Sequence, residues 1–165
     1  MIEVKVANLA IDRSTNTPIV VLQEKDGERR LHIWIGPAEA SAIAMELAGV
    51  KFSRPLTHDL VKHIIVGLAA ELKQVLITRV QENTYYAELH LHRNGDVIHI
   101  DARPSDGIAV ALRLGAPIFT EDSLLEDRGF ETLDPMPMDP KPVDPDSLKT
   151  YLEHLDPEDF GKFTP

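Results

Sequence analysis

The sequence contains no cysteine, which excludes disulfide bonds, thiolate metal sites and a cysteine nucleophile. No apolar run reaches the roughly 18 residues that span a bilayer, and the first residues alternate like a strand rather than like a secretory signal. Phosphate-cradling glycine loops, GxSxG elbows, HExxH motifs and zinc-finger spacings are also missing. We therefore expect a protein with no membrane segment and a cytoplasmic location.

Negative charge is distributed unevenly along the 165 residues. Residues 1–120 hold 14 acidic and 13 basic side chains, whereas residues 121–165 hold 13 acidic and 4 basic ones. The body of the chain is thus nearly neutral. It can bind a polyanion through local arginines or a bound cation, but not through a diffuse basic field.

Proline concentrates in the same C-terminal stretch, where seven of the 12 prolines follow residue 133. Because proline fixes φ and lacks an N–H group, residues 134–140 are predicted to form an extended linker. Apolar residues at i, i+3, i+4 and i+7 then predict a short helix over about 146–155. We interpret residues 1–130 as one domain and residues 131–165 as a proline-rich acidic tail, which either solvates the chain or mimics nucleic acid.

The body repeats itself, since three pairs of segments match in order at offsets that drift from 71 to 65 residues. Each copy, over about 2–48 and 74–114, is predicted to form three strands and a helix. An Asp-Gly or Asn-Gly pair predicts a tight turn between the second and third strands, and a proline opens each helix.

A further helix, over about 57–71, is predicted to link the two copies. Thr57 is its expected N-cap. Its expected buried stripe comprises Leu60, Ile64, Ile65, Leu68 and Leu72. The sequence therefore predicts an α+β fold, with a duplicated β-β-β-α unit, a mainly antiparallel sheet and a linking helix.

Polar residues gather where the helix of the second copy begins. Arg103 could bind phosphate beside the free N–H groups of that helix, and Ser105 lies in its first turn. Asp101 and Asp106 could share a divalent cation. Alternatively, Asp106 only balances the helix dipole and Arg103 only pairs with Asp101. The first copy has Glu39 in the equivalent turn, without the aspartates or the arginine, so the fold alone does not require them.

The loop that enters the linking helix carries a second polar cluster. Arg54, Thr57 and His58 could contact phosphate, and His58 could act as a general base. His63 follows Asp59 by four residues on the same helical face, which would also suit acid–base or metal chemistry. The alternative is an N-cap followed by a solvated helix face.

A third cluster follows from the hairpin register. If Asn94 and Gly95 form a two-residue loop, cross-strand pairing brings five side chains to one face of the hairpin. These are Glu88, His90, His92, His99 and Asp101. Imidazole and carboxylate groups together suit Mn, Zn or Mg-type ions. The alternative is a histidine-rich solvent face without a metal.

Several of these motifs, taken in order, resemble the bifunctional nuclease family. The resemblance rests on residues 33–44, 54–60, 86–87 and 101–109 and covers about residues 1–130. It implies nuclease activity on DNA and RNA and self-association as a homodimer, but it supplies no catalytic residues. Gly107 departs from the small alanine or serine expected there.

Two functional hypotheses follow from the clusters and the resemblance. The first is a metal-assisted nuclease that hydrolyses phosphodiester bonds with the help of Mg or Mn. Its candidate catalytic residues are His58, Asp59, Asp101 and Asp106. Its candidate phosphate-binding residues are Arg54, Thr57, Arg103 and Ser105. Its candidate metal ligands are Asp101, Asp106 and Glu39. The second hypothesis is a non-catalytic module that binds a nucleotide, another anion or a protein.

Overall fold

The computed structural model describes residues 1–127 and 133–135. In chain order the elements are β1 (Ile2–Asp12), β2 (Thr17–Glu24), β3 (Arg30–Trp34), α1 (Pro37–Leu47), α2 (Thr57–Gly67), β4 (Glu71–Gln81), β5 (Thr84–Arg93), β6 (Asp96–Ala102), α3 (Pro104–Leu114), β7 (Ile118–Thr120), a 3-10 turn (Asp122–Leu124) and β8 (Leu133–Pro135). The predicted α+β class is confirmed. The helix predicted over about 146–155 lies outside the described residues. None of the described helices is long and apolar enough to cross a bilayer.

One sheet runs through the molecule in the strand order β3-β2-β1-β7-β4-β5-β6, with β8 beside the far end of β1. All neighbours are antiparallel except β4 and β7. The short strand β7 pairs with β1 on one side and with β4 on the other. It therefore joins a first half, β1-β2-β3-α1, to a second half, β4-β5-β6-α3.

The two halves share the predicted order of three strands and a helix, although their common origin by duplication stays a hypothesis. In the second half, Asn94 and Gly95 both have positive φ, and Arg93 pairs with Asp96, as the two-residue turn requires. The tight turn predicted in the first half is wrong. Residues 25–29 form a longer loop there, closed by the N–H of Glu24 donating to the carbonyl of Arg29.

The helices cover one face of the sheet and build the main core with it. This core combines Ile43 of α1, Ile65 of α2 and Ile108 of α3 with alternate residues of the central strands. A Cβ atom added at Gly107 would lie 2.8 Å from Cγ1 of Val75. The glycine therefore lets α3 approach β4 closely, which gives its presence here a packing reason.

Helix α2 differs from the expectation in its exposed face. Of the predicted buried stripe, Ile65 is buried in α2, and Leu72 is buried too but belongs to β4. The rest of the stripe, Leu60, Ile64 and Leu68, is exposed. The apolar spacing of α2 is real, but most of it points away from the core because the helix packs mainly against α3.

The start of α2 also differs from the expectation. Its N-cap is Leu56 rather than Thr57, which is the first helical residue. The N–H of Leu56 donates to Oδ2 of Asp59 at 3.0 Å. The carboxylate of Asp59, the third helical residue, thus satisfies the N–H group of the N-cap residue.

Candidate functional site

The first turns of all three helices meet on the helical side of the sheet. α1 and α2 each pack against α3, so side chains from three separate helix starts can reach one another. Glu39 comes from α1, His58 from α2 and Asp106 from α3, while Arg103 is the N-cap of α3. The fold therefore combines residues of the first two predicted polar clusters with Glu39 of the first copy.

Asp106 is the centre of this combined cluster. Its Oδ1 atom lies 2.9 Å from Nε2 of His58. Its Oδ2 atom accepts a hydrogen bond of 2.7 Å from Nε of Arg103. Arg103 also donates from its NH2 group to Oε1 of Glu39 at 2.8 Å. One exposed guanidinium thus bridges two carboxylates, and one of these carboxylates holds an imidazole. Among the described residues, Arg103 therefore pairs with Asp106 and Glu39 and not, as the alternative had it, with Asp101.

The charges of the cluster are mutually stabilised. Partial burial acts to raise the pKa of Asp106, but hydrogen bonds from Arg103 and His58 outweigh it and leave the pKa below its ordinary value. The hydrogen bond to Asp106 likewise raises the pKa of Arg103 above its ordinary value. Asp106 is therefore an ionised acceptor at neutral pH, suited to orienting the largely buried His58 ring.

A groove of about 560 Å³ opens beside the cluster. Its polar lining consists of Glu39, Thr57, His58, Arg103 and Asp106, and its apolar lining includes Ala42, Met45 and Pro55. The groove offers an imidazole, a guanidinium and carboxylates at one concave surface. Such a combination can bind an anion and move a proton.

Asp59 lies outside this groove and forms an ion pair that links α2 to α3. Its Oδ1 atom accepts a hydrogen bond of 2.7 Å from Nε of Arg113, which is 3% exposed. Arg113 also donates to the carbonyl oxygens of Ala109 and Ala42, so it ties α2 and α1 to α3. Asp59 and His63 line an adjacent cavity of about 250 Å³. A catalytic role for Asp59 stays a prediction.

Three other candidates are not brought into the groove. Ser105 is buried and lines a neighbouring cavity of about 240 Å³ with Trp34 and Arg103. Arg54 is exposed in the loop before α2 and does not line the groove. Asp101 is exposed near the end of β6, where it pairs with Glu88 across the sheet. Their proposed roles in phosphate binding, catalysis or metal binding also stay predictions.

The predicted hairpin register is confirmed, and it assembles a cluster on the sheet face opposite the helices. His90 pairs with His99, and Glu88 pairs with Asp101. Oε2 of Glu88 lies 3.1 Å from Nε2 of His90 and 3.7 Å from Nδ1 of His99. These three residues could hold a metal ion, since one ligand atom from each lies within 4.8 Å of the others.

The motifs in the sequence did not single out two residues that matter in the structure, Arg113 and Gln74. Arg113 lies in an otherwise apolar stretch of α3, and a single charge in such a stretch is the signal that could have revealed it. Gln74 of β4 contacts Nδ1 of His90 at 3.1 Å. No local pattern singles out this glutamine, because its position follows from strand pairing across the sheet.

Comparison with known proteins gives an independent view of the same chain. A family model described as the bifunctional nuclease domain matches residues 20–132. The matched range includes both the groove residues and the hairpin cluster.

Individual relatives agree with this match. An uncharacterised protein of Mycobacterium tuberculosis is 40% identical over 162 residues, covering 96% of this chain and 97% of that protein. Bifunctional nuclease 2 of Oryza sativa subsp. japonica is 33% identical, covering 84% of this chain and 44% of that protein. Bifunctional nuclease 2 of Arabidopsis thaliana is 30% identical, covering 70% and 36%. The chain belongs to the bifunctional nuclease domain family.

Proposed function

We propose that this chain is a nuclease that hydrolyses phosphodiester bonds of DNA and RNA in the groove at the three helix starts. The observation that carries the proposal is the 2.9 Å contact between His58 and the ionised Asp106, beside an exposed arginine. Membership of the bifunctional nuclease domain family supports the same reaction class. The body of the chain is nearly neutral, so phosphate binding would depend on local groups such as Arg103 rather than on a broad basic surface.

His58 is the proposed proton-transfer group. Asp106 holds Nε2, so the ring is oriented and its second nitrogen, Nδ1, can accept a proton from an attacking water. Among the described residues Nδ1 has no hydrogen-bond partner. The arrangement has the same logic as other carboxylate–imidazole pairs, in which the acid fixes the tautomer and stabilises the imidazolium that forms.

Arg103 is the proposed phosphate contact, and Thr57 is a second one on the same groove wall. The guanidinium is bound by Glu39 and Asp106 through Nε and NH2, and no described residue contacts its NH1 group. Planar donors of this kind suit a phosphate oxygen and the charge that builds up in the transition state. Arg54 and Ser105 are proposed as weaker phosphate contacts at the edges of the groove.

A divalent cation fits the two carboxylates that Arg103 bridges. Glu39 and Asp106 already lie around one cationic group, and carboxylate oxygens are ligands that Mg²⁺ and Mn²⁺ prefer. We propose that these two residues hold such an ion once Arg103 turns to the phosphate. The ion would acidify its bound water and neutralise charge on the phosphate.

The test is an activity assay of the full chain on single- and double-stranded DNA and on RNA, with Mg²⁺, Mn²⁺ or EDTA. We expect His58→Ala to lower kcat by about 100-fold or more, because general acid–base catalysis contributes 10²–10⁴-fold. Arg103→Ala should raise KM as well as lower kcat. His63→Ala is the matched control, since His63 is a histidine of the same helix outside the groove. Full activity of both His58→Ala and Arg103→Ala would contradict the assignment.

A non-catalytic binding module is the second candidate. It is favoured by the ion pairs of Arg103 with Glu39 and Asp106, which hold the guanidinium in place and leave its NH1 group to bind an anion. In this case the purified chain would bind an oligonucleotide or a nucleotide without cleaving it under any metal condition. Binding should weaken in Arg103→Ala and persist in His58→Ala, a pattern that the nuclease does not give.

We also propose a homodimer, as the family resemblance implies. The exposed apolar residues Leu60 and Ile64 of α2 and Leu68 at its C-cap support self-association, because burial of such a stripe is favourable. Light scattering of the full chain would measure the mass, and a monomer at all concentrations would contradict the proposal.

A further inference from the structure

We propose that Glu88, His90 and His99 form a binding site for one divalent transition-metal ion, with Zn²⁺ as the preferred ion. The site lies on the sheet face opposite the helices. Ala87, Leu89 and Leu91 of β5 point into the core beneath the helices, so Glu88 and His90, which alternate with them, point the other way.

The three side chains converge because of strand pairing rather than through a flexible loop. Glu88 and His90 are two residues apart on β5, and His99 is the direct cross-strand partner of His90 on β6. The carboxylate oxygen lies 3.1 Å and 3.7 Å from the two imidazole nitrogens. A tetrahedral ion with bonds of about 2.0–2.1 Å needs ligand atoms roughly 3.3 Å apart. Small side-chain rotations are therefore enough to close the site.

The two imidazole rings already lie side by side next to Glu88. They are stacked with centroids 4.0 Å apart and planes inclined by 14°. This arrangement lets each ring offer one nitrogen lone pair to an ion that lies beside Glu88. The neutral imidazole is also the form that binds metals.

Gln74 supplies the second contact that metal-bound histidines usually make. Gln74 lies on β4, next to β5, and its Nε2 atom is 3.1 Å from Nδ1 of His90. When Nε2 of His90 binds an ion, Nδ1 carries the proton and must donate it. Rotation of the Gln74 amide then presents Oε1 as the acceptor, so the same glutamine fits both states.

The ligand set indicates which ion the site prefers. Two imidazoles and one carboxylate are typical of zinc and other first-row transition metals, whereas Mg²⁺ and Ca²⁺ prefer oxygen ligands throughout. His99 is 55% exposed in its side chain, which gives an ion access from solvent and leaves room for water as a further ligand. Asp101 pairs with Glu88 and adds negative charge beside the site.

This metal site shares no residue with the groove lined by His58, Arg103 and Asp106. Zinc binding is therefore independent of the proposed nuclease reaction, and either can be present without the other. Calorimetric titration of the metal-free full chain with Zn²⁺ measures it directly. Co²⁺, whose visible absorption reports on coordination geometry, serves as a second probe.

We expect the unsubstituted chain to bind one Zn²⁺ per molecule. His99→Ala should weaken that binding by at least about 10-fold, since it removes one of three ligands from an exposed edge position. His92→Ala is the matched control, because His92 lies on β5 two residues from His90, on the same face of the sheet, and is not part of the triad. The proposal is overturned if one-to-one binding is absent, or if His99→Ala binds as tightly as His92→Ala. The latter result would assign the ion to the acidic tail or another surface.

Gln74 is a positioning residue in this proposal, and two variants test it. Gln74→Leu cannot accept the His90 proton and should lose about 10- to 100-fold in Zn²⁺ affinity. Gln74→Glu retains an acceptor and should bind at least as tightly as the unsubstituted chain. The thermal midpoint of each metal-free variant separates this effect from a change in folding. Equal affinities for the leucine and glutamate variants would contradict the role of Gln74.

Discussion

The edge strands of the two halves show how differently one structural unit can be used. β3 and β6 are each the third strand of their half and each ends the sheet. Leu31, His32 and Ile33 of β3 are buried, and the outer side of this strand pairs with Glu126. β6 is exposed along nearly its whole length and carries His99 and Asp101. The edge strand of the first half thus contributes buried residues to the fold, whereas the edge strand of the second half leaves an accessible surface.

A matched pair of substitutions would break this comparison if it is wrong. Ile33 in β3 is 3% exposed, and Ile98, at the corresponding position 65 residues later, is 38% exposed. We expect Ile33→Ala to lower the free energy of unfolding by about 3–4 kcal/mol through lost burial and a cavity, and Ile98→Ala by about 1 kcal/mol. Urea denaturation measures both. Equal losses would mean that β6 is covered in solution, for example by a second copy.

The helix ends of the two halves give the next largest difference. Arg113 lies in the last turn of α3 and donates a hydrogen bond to Asp59. The corresponding position of the first half is Ala48, which has no such group. Arg113→Ala should destabilise the chain by about 3 kcal/mol, because it leaves a partly buried carboxylate without its partner. Arg93→Ala, at an exposed arginine, should change stability by less than about 0.5 kcal/mol. If the two arginine variants unfold alike in urea, Arg113 does not hold the helices together.

The smallest expected effect concerns acid stability of the first half. A hydrogen bond from the hydroxyl of Ser14, with others from Trp34 and the backbone, lowers the pKa of Asp12 from 3.8 to about 2. Because the folded pKa is depressed, the stability from Asp12 is present above pH 3.8 and is lost as pH falls towards 2. Urea midpoints between pH 5 and 2 should fall less steeply in Asp12→Asn. Ser14→Ala should move the loss to higher pH, and identical pH profiles would show that the hydrogen bonds are not formed.

Local signals were enough to predict much of the fold. The Asn94-Gly95 pair predicted a two-residue turn, because both turn residues need positive φ. A two-residue turn pairs Arg93 with Asp96, and this register brings His90 opposite His99. The same logic was wrong at Asp26 and Gly27, where the longer loop is closed by backbone and side-chain bonds between Glu24 and Arg29. A dipeptide indicates a turn, but the loop length depends on contacts beyond it.

The candidate site was predicted in pieces rather than as a whole. His58 and Asp106 are 48 residues apart, and Arg103 and Glu39 are 64 apart, so only the packing of α1 and α2 against α3 brings them together. Strand β7 was not predicted either, since three residues are too few for a periodic pattern. The outward stripe of α2 shows the converse limit. Apolar spacing identifies the apolar face of a helix, but it does not show whether the core, a partner or solvent meets that face.

Strand β7 has a consequence for how the groove comes into existence. Residues 118–120 lie between β1 and β4 and pair with both strands, and the groove takes residues from helices of both halves. Neither half contains a complete groove. A chain cut in the loop between α1 and α2 would therefore regain the groove only when its two fragments reassociate. A complete groove is thus a sign that the two halves are joined.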